Sequence, residues 1–267
     1  MTTTVADLTA AAPRRTSALA DTALVMGREL RPMLRSPFSL IFTLIQPLVF
    51  LALFGPLLPQ VSGFEDGSSL QWFVPGIIVM STLFACSTTG ANLQLEMQTG
   101  AHERMLVAPL SRQSLLTGRA FKEIVPVLAQ SAIIIAVVLP FGFTLFPAGV
   151  VIGMAMIALF GVGLGALSYA LAVASKGEDW IFWTVQQTLL FPLLLLSGIL
   201  LPIDSAPGWM QTLSDLNPLT YVVRAERALF VGDLANSAVL QGFVAAALVA
   251  VVGTVVGIRT IRGGTAG

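Results

Sequence analysis

The chain has 267 residues, 55% of them hydrophobic and 10% charged, and its 14 Lys plus Arg balance 14 Asp plus Glu to a formal net charge of zero. A neutral chain carries no global field that would argue for nucleic acid or for acidic substrates. One cysteine, Cys86, excludes an internal disulfide, and neither it nor the lone His102 has partners at metal-ligand spacing.

Residues 1–20 are rich in Thr and Ala and broken by Pro13, which predicts a cytoplasmic arm without fixed structure. No apolar core of a signal peptide follows, so the first span is expected to act as the targeting signal. Residues 21–36 fit an amphipathic helix. Arg28, Arg31 and Arg35 cluster on one side, with Met26, Leu30, Met33 and Leu34 roughly opposite. Pro32 is expected to kink or break it.

Long stretches without Asp, Glu, Lys or Arg then follow: Ser36–Phe64, Gly67–Leu95, Ile124–Ser175, Trp180–Pro202 and Leu234–Ile258. As one helix, Ile124–Ser175 would reach about 78 Å, roughly twice a bilayer, so it must fold into two spans with the turn at Pro140–Pro147. Six spans result, at about 38–58, 70–92, 124–145, 149–174, 180–202 and 237–258, followed by a tail at 263–267. Unpaired backbone amides are too costly in lipid, and runs this rich in Leu, Ala and Gly predict helices. The expected fold is an all-α integral membrane protein, with residues 37–262 forming one six-span domain.

Orientation follows from the cations. With the N-terminus inside, all of the 14 Lys and Arg except Arg224 and Arg227 lie on the cytoplasmic side, which satisfies the positive-inside rule and places both termini in the cytoplasm. The connections are too short to hold a catalytic domain. Neither Lys122 nor Lys176 sits in a phosphate-binding loop. Gly161, Gly163 and Gly165 lie at membrane depth and are expected to serve close helix packing. The six predicted spans contain no Asp, Glu, His, Lys or Arg, so ion coupling is not expected. A channel, a scaffold, a membrane enzyme and the membrane half of a motor-driven pump remain.

The connection after the second span, Glu96 to Arg112, combines charged and apolar side chains in a helix-forming stretch that Pro109 would end. It can lie on lipid headgroups or project as a knob toward a partner. After the fifth span, Trp209, Leu213, Leu216, Tyr221 and Leu229 recur among polar residues, so this outer segment should dip back into the membrane.

Two blocks carry a family likeness. Glu96 to Arg119, with Gly100, Glu103-Arg104-Met105-Leu106, Pro109 and Gly118-Arg119, resembles the loop of type-2 ABC transporter permeases, especially daunorubicin-resistance-like exporters. Ser197-Gly198 through Pro202, Pro207-Gly208-Trp209, Asn217-Pro218-Leu219-Thr220-Tyr221 and Arg227-Ala228-Leu229-Phe230 resemble the family's fifth-span end and outer loop.

The resemblance implies an export permease in a bacterial plasma membrane, working as a homodimer or with a sister permease and carrying two ABC ATP-binding subunits. This chain would bind no cofactor, since ATP and Mg would be held by those partners. Gly100, Glu103, Arg104, Met105 and Leu106 would form the ATPase contacts of a coupling helix, and the 21–36 helix would also touch the ATPase. The substrate pathway would be lined by Met80, Phe84 and Thr88 of span two, Gln187 and Phe191 of span five, and Leu200 and Leu201 at its outer end. Asn217, Pro218, Tyr221, Arg224, Glu226 and Arg227 would build a re-entrant cap, the three charged residues pairing locally. The expected cargo is an amphipathic drug, natural product or lipid-like molecule; lipid-linked polysaccharide or teichoic-acid precursors are the alternative, and a passive scaffold or channel the alternative of another class.

Overall fold

The computed structural model describes residues 18–35, 37–57, 68–101, 112–200, 202–203 and 206–263, and all regular structure among them is helical. In chain order the helices are α1 (Ala18–Arg35), α2 (Pro37–Phe54), α3 (Ser68–Gln98), α4 (Arg112–Lys122), α5 (Ile124–Val138), α6 (Pro147–Ala174), α7 (Asp179–Leu196), α8 (Gly208–Asp215), α9 (Pro218–Phe230) and α10 (Ser237–Gly263). Among the described residues, five stretches are long and apolar enough to cross a membrane: Ser69–Gln98, Leu116–Phe141, Pro147–Ala174, Asp179–Leu196 and Ser237–Thr260. Thr43–Phe54 is a shorter apolar helix.

Helix ends follow local chemistry. Pro147 starts α6 at its first turn, where its missing N–H costs nothing. Pro218 does the same for α9, and the Asn217 side chain accepts the Leu219 N–H at 3.0 Å as the cap. The expected turn between spans three and four is present as a short 3₁₀ segment, Leu139–Phe141, closed by Gly142 at φ +89°.

Pro32 lies inside α1, which continues to Arg35, so of the kink or break expected there the break does not occur. One expectation needs correction. Helices run past the charge-free stretches: α3 extends to Gln98, and α4 carries Arg119 and Lys122 up to a turn at Glu123 before α5 begins. Charged residues therefore sit within helices at one end of the bundle.

The core is built by α3, α6, α9 and α10, around Phe73, Ile77, Met80, Met156, Phe160, Val222, Leu229 and Ala246. In lipid, apolar burial does not drive helices together, so close backbone approach must hold them. The α6–α10 pair is the most extensive contact, and there a Cβ on Gly253 would lie 2.2 Å from the Gly163 carbonyl oxygen. By contrast α7 touches its neighbours sparsely, leaving Trp180, Trp183, Leu189, Phe191 and Leu195 exposed.

Candidate functional site

The basic end of the bundle is organised by one side chain. α1 lies along α4, with Val25 against Gly118 and the Thr22 and Thr117 hydroxyls 3.1 Å apart. The next residue after Gly118, Arg119, with 3% of its side chain exposed, donates from Nε to Glu29 of α1 at 3.2 Å and from its terminal nitrogen to Glu96 of α3. The same guanidinium lies 5.5 Å from the ring centre of Tyr169 on α6. Four helices thus meet at one cation. Lys122 adds a 3.2 Å bridge to Glu29 and stands 4.0 Å from Glu123, whose carboxylate accepts the Thr89 hydroxyl of α3.

Burial on its own would raise the Glu29 carboxyl above its usual value, but Arg119 and Lys122 overrule it and hold it below. A buried cation needs every partner, because losing one leaves an uncompensated charge in a poor solvent.

This network clamps the two stalks that flank residues 102–111. α3 ends in a left-handed cap at Gly100, φ +66°, whose N–H donates to the Met97 carbonyl at 3.2 Å. The chain re-enters the described structure at Arg112, where α4 starts. Glu103, Arg104, Met105 and Leu106 lie outside the described residues. Gln98 donates to Asp179 at 2.7 Å, linking the end of α3 to the start of α7.

The opposite end carries α8 and α9. Arg227 donates to the Trp72 and Gly198 carbonyls at 3.0 and 2.7 Å and stacks 3.6 Å above the Trp72 ring, pinning α9 to α3 and to the chain leaving α7. Asn217 donates to the Leu193 carbonyl at 2.7 Å, and the Tyr221 hydroxyl to that of Asp215 at 2.7 Å. Arg224 pairs with Asp215 across 3.8 Å at the surface.

Glu226 is not part of this pairing. It is fully buried, neither oxygen has a hydrogen-bond partner among the described residues, and its carboxylate lies where a Cβ on Gly153 would come within 2.6 Å. Burial raises its pKa to about 8. The expected local pairing fails because residues one or two apart on a helix point to different faces.

The residues named for a pathway are dispersed. Met80 is 1% exposed, within the core, and Phe84 packs against that core. Thr88 is exposed, its hydroxyl bonded to the Ala85 carbonyl at 2.7 Å. Gln187 and Phe191 lie on the exposed face of α7, Leu200 is half-buried, and Leu201 lies outside the described residues. The Arg119 network escapes a reading by sequence alone. Its only trace is that Glu29, Glu96 and Glu123 accompany Arg119 and Lys122 at the same end of the helices.

The ABC-2 type transporter family matches residues 21–231. The chain is 28% identical over 222 residues to the daunorubicin resistance ABC transporter permease protein DrrB1 of Streptomyces coeruleorubidus, covering 82% of this chain and 78% of that protein. It is 33% identical over 202 residues to the ycf38 protein of Cyanophora paradoxa, covering 73% and 69%. To the inner membrane transport permease YadH of Escherichia coli strain K12 it is 28% identical over 206 residues, covering 71% and 76%.

Proposed function

The chain belongs to the ABC-2 type transporter family, and from that premise we propose that it is the permease subunit of an ATP-driven exporter of amphipathic drugs, natural products or lipid-like molecules. The observation that carries this reading is the Arg119 network, which joins α1, α3, α4 and α6 beside the segment at 102–111. A push on that segment reaches α3 through the Arg119–Glu96 ion pair and α6 through the Arg119–Tyr169 contact, and such buried polar contacts tolerate little slack.

In this reading α2 completes six spans. The basic end faces the cytoplasm by the positive-inside rule. Glu103, Arg104, Met105 and Leu106 seat against an ABC ATP-binding subunit, two copies of which serve a permease dimer and hold the ATP and Mg. The sparsely packed α7, with Trp183, Leu189 and Phe191 outward, supplies the surface for the second protomer and the pathway between them. The relative named for daunorubicin resistance supports a drug or natural product as cargo.

The test is ATP-dependent accumulation of a fluorescent amphipathic dye in inside-out vesicles containing this chain and a cognate ATP-binding subunit. Accumulation above that of vesicles lacking the chain supports the reading. Equal accumulation, with both subunits shown to be assembled, removes it.

A further inference from the structure

α9 is bedded on glycine. A Cβ at Gly149 of α6 would overlap the Leu229 carbonyl, and one at Gly242 of α10 would overlap the Ala225 methyl. The same side of α9 carries a carboxyl. Glu226 is fully buried, and a Cβ at Gly153, one turn after Gly149, would meet one of its oxygens at 2.6 Å and the other at 3.1 Å. Neither oxygen has a hydrogen-bond partner among the described residues.

Nor does a charge face it there. Residues 68–95 of α3, 147–174 of α6 and 237–258 of α10 contain no Asp, Glu, His, Lys or Arg. Their titratable side chains near the far end, Cys86 and Tyr169, are turned to Gly161 and Arg119. On α7 the acid is Asp179, held by Gln98. On α9 itself Arg227 lies on Trp72 and Gly198, Arg224 pairs with Asp215 of α8, and the Tyr221 hydroxyl donates to the Asp215 carbonyl. Asp233, in the turn after α9, accepts from Asn236.

A carboxylate without donor or cation in apolar surroundings is unfavourable, and such a group escapes by taking up a proton. We propose that Glu226 is a proton-binding site, and that the bound proton seats α9 on α6 and α10, its loss driving the carboxylate and α9 with it toward water. The site takes a proton alone, because both oxygens are closed to solvent while α9 is seated. Burial raises the seated carboxyl from 4.5 to about 8, and lifting α9 returns it to the ordinary value. Seating is therefore strongest below about pH 4.5, weakens about tenfold per pH unit above it, and levels off above about pH 8. Calling α9 a lid over an export path rests on the exporter reading; the proton site does not.

Hydrogen–deuterium exchange of the whole chain in lipid nanodiscs, read by mass spectrometry over α9, tests this against Glu226→Gln, which keeps the shape without the charge. Glu226→Leu serves as a second uncharged reference. The wild-type-to-variant ratio at each pH removes the intrinsic pH dependence of exchange. Between pH 5 and pH 8 that ratio is expected to rise by about tenfold per pH unit over α9, with α6 and α10 unchanged. The infrared difference between wild type and Glu226→Gln at pH 6 should show the carbonyl band of a protonated carboxylic acid. A ratio independent of pH, a rise shared equally by α6 and α10, or no acid band overturns the site. The pH response without ATP-driven dye accumulation keeps the site and removes the exporter reading, and accumulation without the pH response does the reverse.

Discussion

Replacing Arg119 with methionine keeps an unbranched stem of about the same bulk as far as Nε and removes the guanidinium charge, stranding Glu29 and Glu96, whose side chains are 11% and 24% exposed. Removing one partner of a buried ion pair costs about 3–5 kcal/mol. Two observations favour the lower end of that range. Lys122 still stands 3.2 Å from Glu29, and Glu96 reaches solvent on one side. Loss of the Tyr169 contact adds about 0.5–1 kcal/mol. A loss of about 3 kcal/mol lowers the melting temperature of a domain of this size by roughly 6–12 °C. The assay is thermal unfolding of the purified protein in detergent, together with the double variant Glu29→Gln plus Arg119→Met. Because that variant removes both charges, it should recover part of the loss, giving a coupling energy above about 1 kcal/mol. Single variants that melt with the wild type, or whose effects simply add, would refute the clamp.

Three further outcomes follow from other parts of the bundle. Glu226 rises from 4.5 to about 8 on folding, so the folded state holds the proton more tightly. Stability from this group is full below about pH 4.5 and lost as pH rises toward 8. Glu226→Gln should flatten that decline between pH 5 and pH 9, and a wild type that melts equally at both would sink the assignment. Gly163→Leu forces a side chain to within 2.6 Å of the Val249 and Ala250 backbone on α10, well beyond the about 1–3 kcal/mol of ordinary overpacking. It should abolish the monodisperse peak in size-exclusion chromatography, while Gly161→Ala, whose nearest neighbour is 3.5 Å away, keeps it. Arg227→Leu leaves the Trp72 and Gly198 carbonyls without its charged donor and should cost about 3 kcal/mol. Accelerated proteolysis near α9 would register it; an unchanged cleavage pattern would contradict the pinning role.

Five of the spans were readable because absence of charge over some 20 residues is a strong physical signal that needs no partner. Their ends were not, since a helix stops where backbone capping stops it and not where lipid ends. Thus α3 carries Glu96 and runs to its left-handed cap at Gly100. The Asn217-Pro218 start of α9 was readable for the same reason, as capping chemistry is local. The Arg119 network was hidden, because Glu29 and Arg119 are 90 residues apart and a cation near a membrane is already accounted for by topology. Gln186 and Gln187 show a different limit. α7 is apolar around most of its circumference, so sequence gives no phase, and one residue's rotation of about 100° places Gln186 inside and Gln187 outside. Glu226 and Arg227 divide in the same way, one toward α6 and the other toward α3.

The central claim is that a separate ATP-binding subunit docks on the segment framed by Gly100 and Arg112. Its most direct test is co-purification of such a subunit with the tagged chain from membranes, comparing wild type with Glu103→Ala plus Arg104→Ala at matched expression. The account predicts that the wild type retains the subunit and that the double variant loses most of it while staying folded. Retention by both to the same degree would contradict the docking site, and no retention by the wild type would contradict the motor-driven permease.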